Sequence, residues 1–378
     1  YQCNFVNNGD ATHNGGGLFL LNSTPELEYC VFYNNEAYYG GAIHSASSTT
    51  PRLFGCRFFG NRSNDKGGAI FSINSDIEAY NCIFSGNAAT NDGGFLNLLY
   101  GKFTGHYCTI NSNSAVYGRG GGVCLRDYAS GTFYNSILWG NSDSQGTDQS
   151  AQIYLGPPSS GSYSILSCYV QGMNIPSTPP GFQDEDGADN KIGTEDDNVQ
   201  LTAGSPCIDA GDNESAPPDL VDGDNDDDLT EPYQKDIQGY PRFMDDPLTA
   251  DTGYGPPPLA DMGAYEYAPP SCFSTCLSRL YVDKDATGSN DGSSWSNAFT
   301  TLGEALEEAD NCCGMVKEIW VAEGTYTPGI PFQILQRTDT FGLVDGVTVY
   351  GGFDGSETYF TQRQLDSHPT ILSGDING

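Results

Sequence analysis

The first third of the chain repeats one pattern of apolar and polar positions. A cysteine is followed two residues later by a large apolar side chain and five residues later by asparagine, and a glycine turn then leads into a second apolar stretch. Apolar and polar residues alternate on both sides of this turn, and a period of two is typical of β-strands. The pattern therefore predicts many short strands that are joined by tight turns.

This pattern recurs about every 26 residues. Successive cysteines are separated by 27, 26, 26 and 26 residues, and Ser136 takes the next place after 28 more. A period in the twenties indicates a solenoid, in which each unit is one coil that buries its apolar face only against its neighbours. The repeated positions are Cys3, Cys30, Cys56, Cys82 and Cys108, with the asparagines Asn8, Asn35, Asn61, Asn87, Asn113 and Asn141. A recurrent glycine aligns a further apolar set, which is Phe19, Ile43, Ile70, Leu96 and Val123.

Two solenoid classes have repeats of this length. A leucine-rich repeat requires a leucine frame and one strand per unit, which these units lack. We therefore predict an all-β parallel β-helix, in which equivalent residues of adjacent coils lie about 4.8 Å apart and form ladders. We expect the cysteines to be small buried filler rather than a redox or metal stack. The asparagine ladder is expected to hold the bends of the coils.

Charge narrows the range of partners. The formal net charge is −34, and residues 184–266 hold 23 acidic and three basic residues. Such a chain repels phosphate backbones and anionic lipid surfaces, so that we expect no nucleic-acid partner. No apolar run approaches the ~18 residues that a membrane span needs, and no leader or initiator methionine precedes the first coil. We expect no membrane insertion, and an extracellular or cell-surface product that is processed or cut from a longer protein.

The repeat fades near residue 150, and an acidic, loop-rich segment over 151–270 follows. Alternate carboxylates in its "DGDNDDD" run resemble the spacing of a calcium loop, although Asp227 and Tyr233 stand where an EF-hand needs glycine and glutamate. We predict Ca²⁺ in an irregular loop, and the alternative is a solvated acidic surface. The predicted ligands are Asp222, Asp224, Asp226 and Asp228, with Asp189, Asp196 and Asp197 as a second cluster.

Two family resemblances cover essentially the whole chain. The stretches "GSPCIDAGDN", "DIQGYPR" and "DMGAYEY" resemble the closing segment that follows β-helix domains in large bacterial surface proteins, including those of planctomycete type. The "CxFxxN … GG" coils are similar to the polymorphic outer-membrane-protein and pectin-lyase-like families. This resemblance implies a right-handed β-helix. It says little about activity, since the superfamily includes enzymes, adhesins and inert stalks.

The last part, residues 271–378, reads as the start of another β-helix. A strand and a turn-rich loop precede an amphipathic helix that places Leu302, Ala305, Leu306 and Ala309 on one face, as in the cap of an apolar channel. First coils follow. Four cysteines nearby are candidates for two disulfides whose connectivity the sequence leaves open, namely Cys272, Cys276, Cys312 and Cys313.

This order, with coils first and a cap last, leaves a coil edge at each end of the chain. Exposed strand edges are templates for pairing with a further strand. Either the chain is one window of a longer tandem protein, or copies join head to tail in a heterologous contact that produces a filament. Both explanations predict a non-catalytic structural protein that forms an extended fibre or surface layer.

Two other functions compete with this one. A calcium-dependent polysaccharide lyase would need a basic residue beside clustered carboxylates, but no coil face shows that motif around Lys66, Lys102, Arg119 or Arg126. We therefore expect no catalytic residues. A glycan-binding adhesin, with cell-surface glycans as partners, would use exposed aromatic rings. The candidate rings are Tyr38, Tyr39, Tyr117, Tyr128 and Trp139.

Overall fold

The computed structural model describes residues 2–157, 161–173, 178–218, 232, 235–268, 276–312, 316–328, 340–344 and 347–374. The chain divides into two compact units, Tyr1–Tyr267 and Ala268–Gly378. Among the described residues, no helix is long and apolar enough to cross a lipid bilayer. Each unit is built mainly of parallel strands.

The first unit contains short strands that recur in the same order in every coil. The strands of the first three coils are β1 (Asn4–Val6), β2 (Leu18–Leu21), β3 (Glu26–Glu28), β4 (Val31–Tyr33), β5 (Glu36–Tyr39), β6 (Ile43–Ala46), β7 (Arg52–Phe54), β8 (Arg57–Phe59), β9 (Arg62–Lys66), β10 (Ile70–Ile73) and β11 (Ile77–Tyr80). Those of the next coils are β12 (Ile83–Ser85), β13 (Ala88–Ala89), β14 (Leu96–Leu99), β15 (Lys102–His106), β16 (Thr109–Asn111), β17 (Ser114–Ala115), β18 (Val123–Arg126), β19 (Ser130–Tyr134) and β20 (Ile137–Trp139). The short helix α1 (Gln149–Gln152) precedes β21 (Ile153–Leu155), β22 (Ser162–Leu166) and β23 (Tyr169–Val170).

These strands form four parallel sheets along the coil axis. Sheet I contains β1, β4, β8, β12, β16, β20 and β23, and sheet II contains β2, β6, β10, β14, β18 and β21. Sheet III contains β3, β7, β11, β15, β19 and β22, and sheet IV contains β5, β9, β13 and β17. In the turns that contain a strand of sheet IV, the chain passes through sheets I, IV, II and III in order, and the other turns pass from sheet I directly to sheet II. The predicted all-β parallel β-helix is therefore confirmed, and its coils continue to Val170, past residue 150.

The interior of the coils is a continuous apolar column. Phe5, Phe32, Phe58 and Phe84 pair in register through sheet I, and the first three rings stack with centroids 4.6 and 4.5 Å apart. Ile110 and Leu138 continue the column, as the sequence pattern predicts. Residues from sheets II and III complete the same core, so that each coil buries its apolar face only with neighbours above and below.

The first coil corrects one alignment. Leu18, not Phe19, pairs with Ile43 in sheet II, while Phe19 points outward, is 51 % exposed and packs beside His44. The glycine run of this coil is one residue longer, so that counting from Gly17 shifts the register by one. In a strand, a shift of one residue reverses the face on which a side chain lies.

Bends between sheets use the left-handed backbone region. Where sheet III passes to sheet I, the bend residue has a positive φ in every coil, and these residues are Tyr29, Gly55, Asn81, Tyr107, Asn135 and Ser167. At the bend after sheet I, the left-handed residue is the one before each ladder asparagine, as at Asn34 and Gly86. The ladder asparagines themselves point into the coil, where their amides are available for hydrogen bonding.

Within the first unit, the acidic segment packs along the outside of the coils. Its antiparallel pair, β24 (Phe182–Asp184) and β25 (Asn198–Leu201), leads into irregular backbone. Val199, Ile237 and Ala264 pack on Phe59 and Ile83 of sheet I. Leu201, Cys207 and Ile208 pack on Ile137 and Tyr169 further along the same sheet. The acidic segment therefore covers the outer face of sheet I.

The second unit has its own core. Strands β26 (Arg279–Val282), β27 (Glu318–Ala322) and β29 (Thr348–Phe353) form one parallel sheet, and β28 (Gly324–Tyr326) pairs with β30 (Thr370–Leu372). The helix α2 (Leu302–Asn311) begins with a capping box between Thr301 and Glu304. Its predicted apolar face packs against the strands, and a disulfide joins Cys276 to Cys312. Cys272 and Cys313 lie outside the described residues.

Candidate functional sites in the coils and the closing segment

The asparagine ladder is a continuous chain of hydrogen bonds. Asn61 Nδ2 donates to Asn87 Oδ1 at 2.9 Å and to the carbonyl of Phe32, and the Asn61 backbone N–H donates to the same Asn87 oxygen at 3.0 Å. The pattern repeats from Asn8 to Asn141, where Gln152 Oε1 accepts the last amide at 2.7 Å. From Asn35 onward, these side chains are fully buried. The ladder is structural, because its polar atoms are used within the coil.

The cysteine ladder packs inside the coils. Cys30, Cys56, Cys82 and Cys108 are buried and form no disulfide with one another, and their Sγ atoms lie against carbonyls such as that of Leu27, 3.1 Å from Cys56 Sγ. Burial raises the pKa of the Cys108 thiol to about 12. Since the thiolate is the reactive form, burial lowers the reactivity of Cys108. Cys3, at the first coil, is exposed.

The basic candidates for a lyase site are spread over the sheets: Lys66 lies in β9 of sheet IV, Lys102 in β15 of sheet III and Arg126 in β18 of sheet II. His44, Phe71, Asn97 and Cys124 stand in one column on the outer face of sheet II. Beside the column, Arg126 pairs with Asp92 and Arg119 with Asp143, each at 2.9 Å. Both guanidinium groups are thus engaged with carboxylates of the coil. Burial lowers the pKa of His44 to about 4, so that its ring is neutral near pH 7.

The aromatic candidates for glycan binding divide into two groups. Trp139 packs on Tyr169 beneath the acidic segment, and Tyr39 stacks on Phe71 at 4.7 Å. Tyr117 is 77 % exposed, and Tyr128 is exposed beside Tyr100, with ring centroids 6.4 Å apart and nearly parallel planes. Tyr38 is 41 % exposed and contacts Tyr39 edge on, with ring centroids 4.7 Å apart, so that Tyr38, Tyr117 and Tyr128 are the candidates with exposed rings.

Of the predicted calcium ligands, Asp222, Asp224, Asp226 and Asp228 lie outside the described residues. The structure brings Asp189, Asp196 and Asp197 to the hydroxyl of Thr194, at 3.4, 2.6 and 3.3 Å. Asp197 is buried and also accepts from Ser85 Oγ of β12 at 2.8 Å, so that it ties the acidic segment to the coils. Calcium at these seven residues stays a prediction.

A buried carboxylate network joins the three motifs that resemble a closing segment. Arg242 is fully buried, donates to Glu266 and to Asn81 of the coils, and lies over the ring of Tyr107. Glu266 accepts the backbone N–H groups of Met244 and Asp261. Two further carboxylates, Asp236 and Asp261, accept backbone N–H groups in the same way.

The charge balance of this buried carboxylate network is uneven. It places three carboxylates, Asp236, Asp261 and Glu266, around one guanidinium. Burial raises the pKa of each of these acids, and the neighbouring Asp261 raises that of Glu266 further. The backbone donors offset part of the cost of burying them. The network therefore fixes irregular backbone that no sheet supports.

A second acidic group, which we call the Asp209 cluster, consists of Asp209, Asp245 and Asp251. One carboxylate oxygen from each residue lies within 4.8 Å of the other two. Asp209 is fully buried, whereas Asp245 and Asp251 are exposed. Burial and the neighbouring acids raise the pKa of Asp209 to about 7. The sequence analysis missed this cluster because its members are 36 and six residues apart and form no motif.

The first coil ends in an open apolar rim. Phe5, Leu18, Leu20 and Leu27 face the interior but are only partly buried. One coil further in, Phe32 and the other residues of the same ladders are almost completely buried. Within the described residues, β1, β2 and β3 each pair with a strand on one side only.

Part of the coil region matches a known family of repeats. The family model of the Chlamydia polymorphic membrane protein repeat matches residues 29–46 and 55–73, which belong to two successive coils. No curated protein and no solved structure matches the chain. The molecule is thus a parallel β-helix protein. Two of its coils are similar to a bacterial membrane-protein repeat, a combination typical of surface or adhesin-like proteins.

Proposed function

We propose that this chain is a non-catalytic, extracellular or cell-surface structural protein whose coils stack end to end into a fibre or surface layer. The repeat match and the parallel β-helix support a surface role. The single observation that carries the assembly proposal is the open rim of the first coil.

The rim leaves two kinds of group unsatisfied. Phe5 and Leu27 present apolar surface that the inner coils bury, and burial of such surface is favourable by roughly 25 cal/mol per Å². The outer edge of β1 presents backbone N–H and C=O groups without a strand partner among the described residues. A further parallel coil satisfies both at once.

Edge strands of the second unit are the proposed partner of this rim. Its sheets end at β29 and β30, which are edge strands within the part of the chain that the structure describes. Stacking of these coils on the first coil of another copy is a heterologous contact, which repeats into a filament. A preceding coil in a tandem protein would satisfy the same rim. Both routes give an elongated array.

Calcium belongs to the same proposal. The acidic segment holds most of the excess negative charge and packs on the coils through Asp197. Ca²⁺ bound in this segment would reduce repulsion among its carboxylates and so stabilise the array.

Rim variants test the assembly. Replacing the inward-facing pair, Phe5→Glu with Leu27→Glu, places charges in the channel mouth. The matched control, Asn4→Glu with Phe19→Glu, places the same number of charges on outward-facing positions of the same coil. In sedimentation velocity with calcium present, we expect wild type and control to form large species as concentration rises and the inward variant to remain monomeric. Circular dichroism checks that all three are folded. A monomeric wild type, or an inward variant that assembles equally well, would contradict the proposal.

The exposed ring pair favours a second candidate function, glycan binding. Tyr100 and Tyr128 are 49 % and 67 % exposed and nearly parallel, so that they offer a flat apolar platform with polar hydroxyl tips. Wild type and the double variant, which carries both Tyr100→Ala and Tyr128→Ala, are compared on a glycan array. We expect specific signals that the double variant loses, and identical profiles would reject this candidate.

A further inference from the structure

The Asp209 cluster has the spacing of ligands that share one ion. Ca²⁺ binds oxygen ligands at about 2.3–2.6 Å, so that two ligands of the same ion lie at most about 5 Å apart. The three aspartates already place one oxygen each within 4.8 Å of the others. No side-chain rearrangement is therefore needed to bring them around a common centre.

A second and independent observation is the state of Asp209 itself. The residue is fully buried, and its Oδ1 atom accepts no hydrogen bond from any residue that the structure describes. Its other oxygen accepts only a long bond, from the Asp246 N–H at 3.3 Å. Buried carboxylate oxygens are normally paired or coordinate a metal, because burial without a partner is costly.

Among the residues that the structure describes, no basic side chain forms an ion pair with the cluster. The ion pairs between described residues do not include Asp209, Asp245 or Asp251. The nearest buried cation of the closing segment, Arg242, is committed to Glu266 and Asn81. Three carboxylates held this close repel one another unless a cation lies between them.

The backbone holds the cluster in place. The carbonyl of Asp209 accepts the N–H groups of Thr252 and Gly253, at 2.9 and 3.1 Å, which fixes the segment that carries Asp251. The N–H of Asp209 donates to Asp261 at 2.8 Å, which anchors it to the buried carboxylate network. A Cβ atom at Gly253 would lie 2.0 Å from the Gly211 carbonyl oxygen, so that only glycine permits this approach. The ligands are thus preorganised on two crossing segments.

We propose that Asp209, Asp245 and Asp251 form a binding site for a divalent cation that prefers oxygen ligands, with Ca²⁺ as the best fit. The cluster contains no histidine or cysteine, which disfavours zinc and other softer ions. Its ligands come from irregular loops and two of them are exposed, which leaves room for water and suits the flexible coordination of Ca²⁺ better than the strict octahedron of Mg²⁺. The ion joins residues 207–213 to residues 244–253. The site does not depend on end-to-end assembly or on the Asp222–Asp228 run.

The test uses the whole chain and the two exposed ligands, because Asp209→Asn alters a buried residue. The ligand variant is the double substitution Asp245→Asn and Asp251→Asn. The control is the double substitution Asp184→Asn and Glu214→Gln, which removes the same charge from exposed positions elsewhere in the acidic segment. Melting of each protein is followed in chelator, in saturating Mg²⁺ and in saturating Ca²⁺ at equal ionic strength. Calorimetric titration with Ca²⁺ gives the number of ions bound.

In chelator, we expect the ligand variant to melt at or above the wild-type temperature, since two mutually repelling charges are gone. In Ca²⁺, the order reverses, because wild type and control gain stability that the variant does not. The variant also binds one Ca²⁺ fewer, and a variant of Asp222, Asp224, Asp226 and Asp228 to asparagine keeps the ion at the Asp209 cluster. An unchanged stoichiometry in the ligand variant, or a wild type that gains no more in Ca²⁺ than in Mg²⁺, would overturn the site. Sedimentation of the same proteins reports on assembly separately.

Discussion

At the scale of single residues, the coils depend on a polar ladder as much as on an apolar one. The Asn61 side chain accepts from the backbone N–H and the amide of Asn35 one coil before, and it donates to a carbonyl of the preceding coil and to the next asparagine side chain. An amide can donate and accept at once, whereas serine or aspartate lacks part of that capacity. Asparagine is therefore favoured at this position because its amide can satisfy the buried donors and acceptors inside the coil.

Removal of one inner ladder amide should be costly. Asn87→Ala deletes the acceptor of two Asn61 N–H donors and removes the amide donor to the Phe58 carbonyl and to Asn113 Oδ1, which keeps only the Asn87 backbone N–H. Each buried group left unpaired costs about 1–3 kcal/mol. We expect a loss of about 3 kcal/mol or more in the free energy of unfolding, measured by denaturant titration. Asn8→Ala, at the exposed rim, is the control and should cost far less; equal effects would argue against the ladder.

His44 gives a pH-dependent prediction. Its ring lies between Phe19 and Phe71, its Nδ1 atom is buried without a partner among the described residues, and burial lowers its pKa to about 4. In the unfolded chain a histidine has a pKa of about 6.5. Between this pH and the lower pKa of the folded state, the unfolded chain binds a proton that the folded His44 ring does not bind. Histidine therefore destabilises the fold as pH falls from 6.5 to 4.

We expect His44→Phe to raise the melting temperature modestly at pH 7 and by a growing margin down to pH 4. Titrating carboxylates are common to both proteins, so that the difference between their melting curves isolates the histidine. A margin that stays constant with pH would show that the ring is protonated in the fold.

At the scale of elements, the closing segment is the part that the sequence describes least. The period of the coils and the apolar face of α2 predict the strands and the helix, because repeats and helical faces are local in sequence. The segment's docking on sheet I depends on pairs such as Arg242 with Asn81, which are 161 residues apart. Its motifs are visible in the sequence, but the network that they build is not. The Asp209 cluster was missed for the same reason.

A variant of Arg242 tests whether the buried carboxylate network holds the closing segment on the coils. Arg242→Leu leaves Glu266 buried without its cation and removes the donor to Asn81. Breaking a buried ion pair from one side costs about 3–5 kcal/mol. We expect hydrogen exchange of residues 236–242 and 261–267 to accelerate strongly while the coil strands stay protected. The exposed Arg62→Leu is the control, and protection that is unchanged in both variants would show that the network does not hold the segment.

At the scale of the whole molecule, a solenoid has no natural end. Each coil buries its apolar face only against a neighbour, so that apolar residues of the first and last described coils are partly buried where those of the inner coils are fully buried. The ladder and the period could be predicted from the sequence. The exposure of the rim follows only when the four sheets close around the core. The proposed assembly therefore rests on the rim rather than on a separate binding motif.

Electron microscopy of the calcium-loaded chain tests this account most directly. We predict filaments or sheets with a repeat of one chain length, formed by wild type and by the outward-facing control but not by Phe5→Glu with Leu27→Glu. Single particles of one chain at every concentration, for a wild-type protein that is folded by circular dichroism, would contradict it.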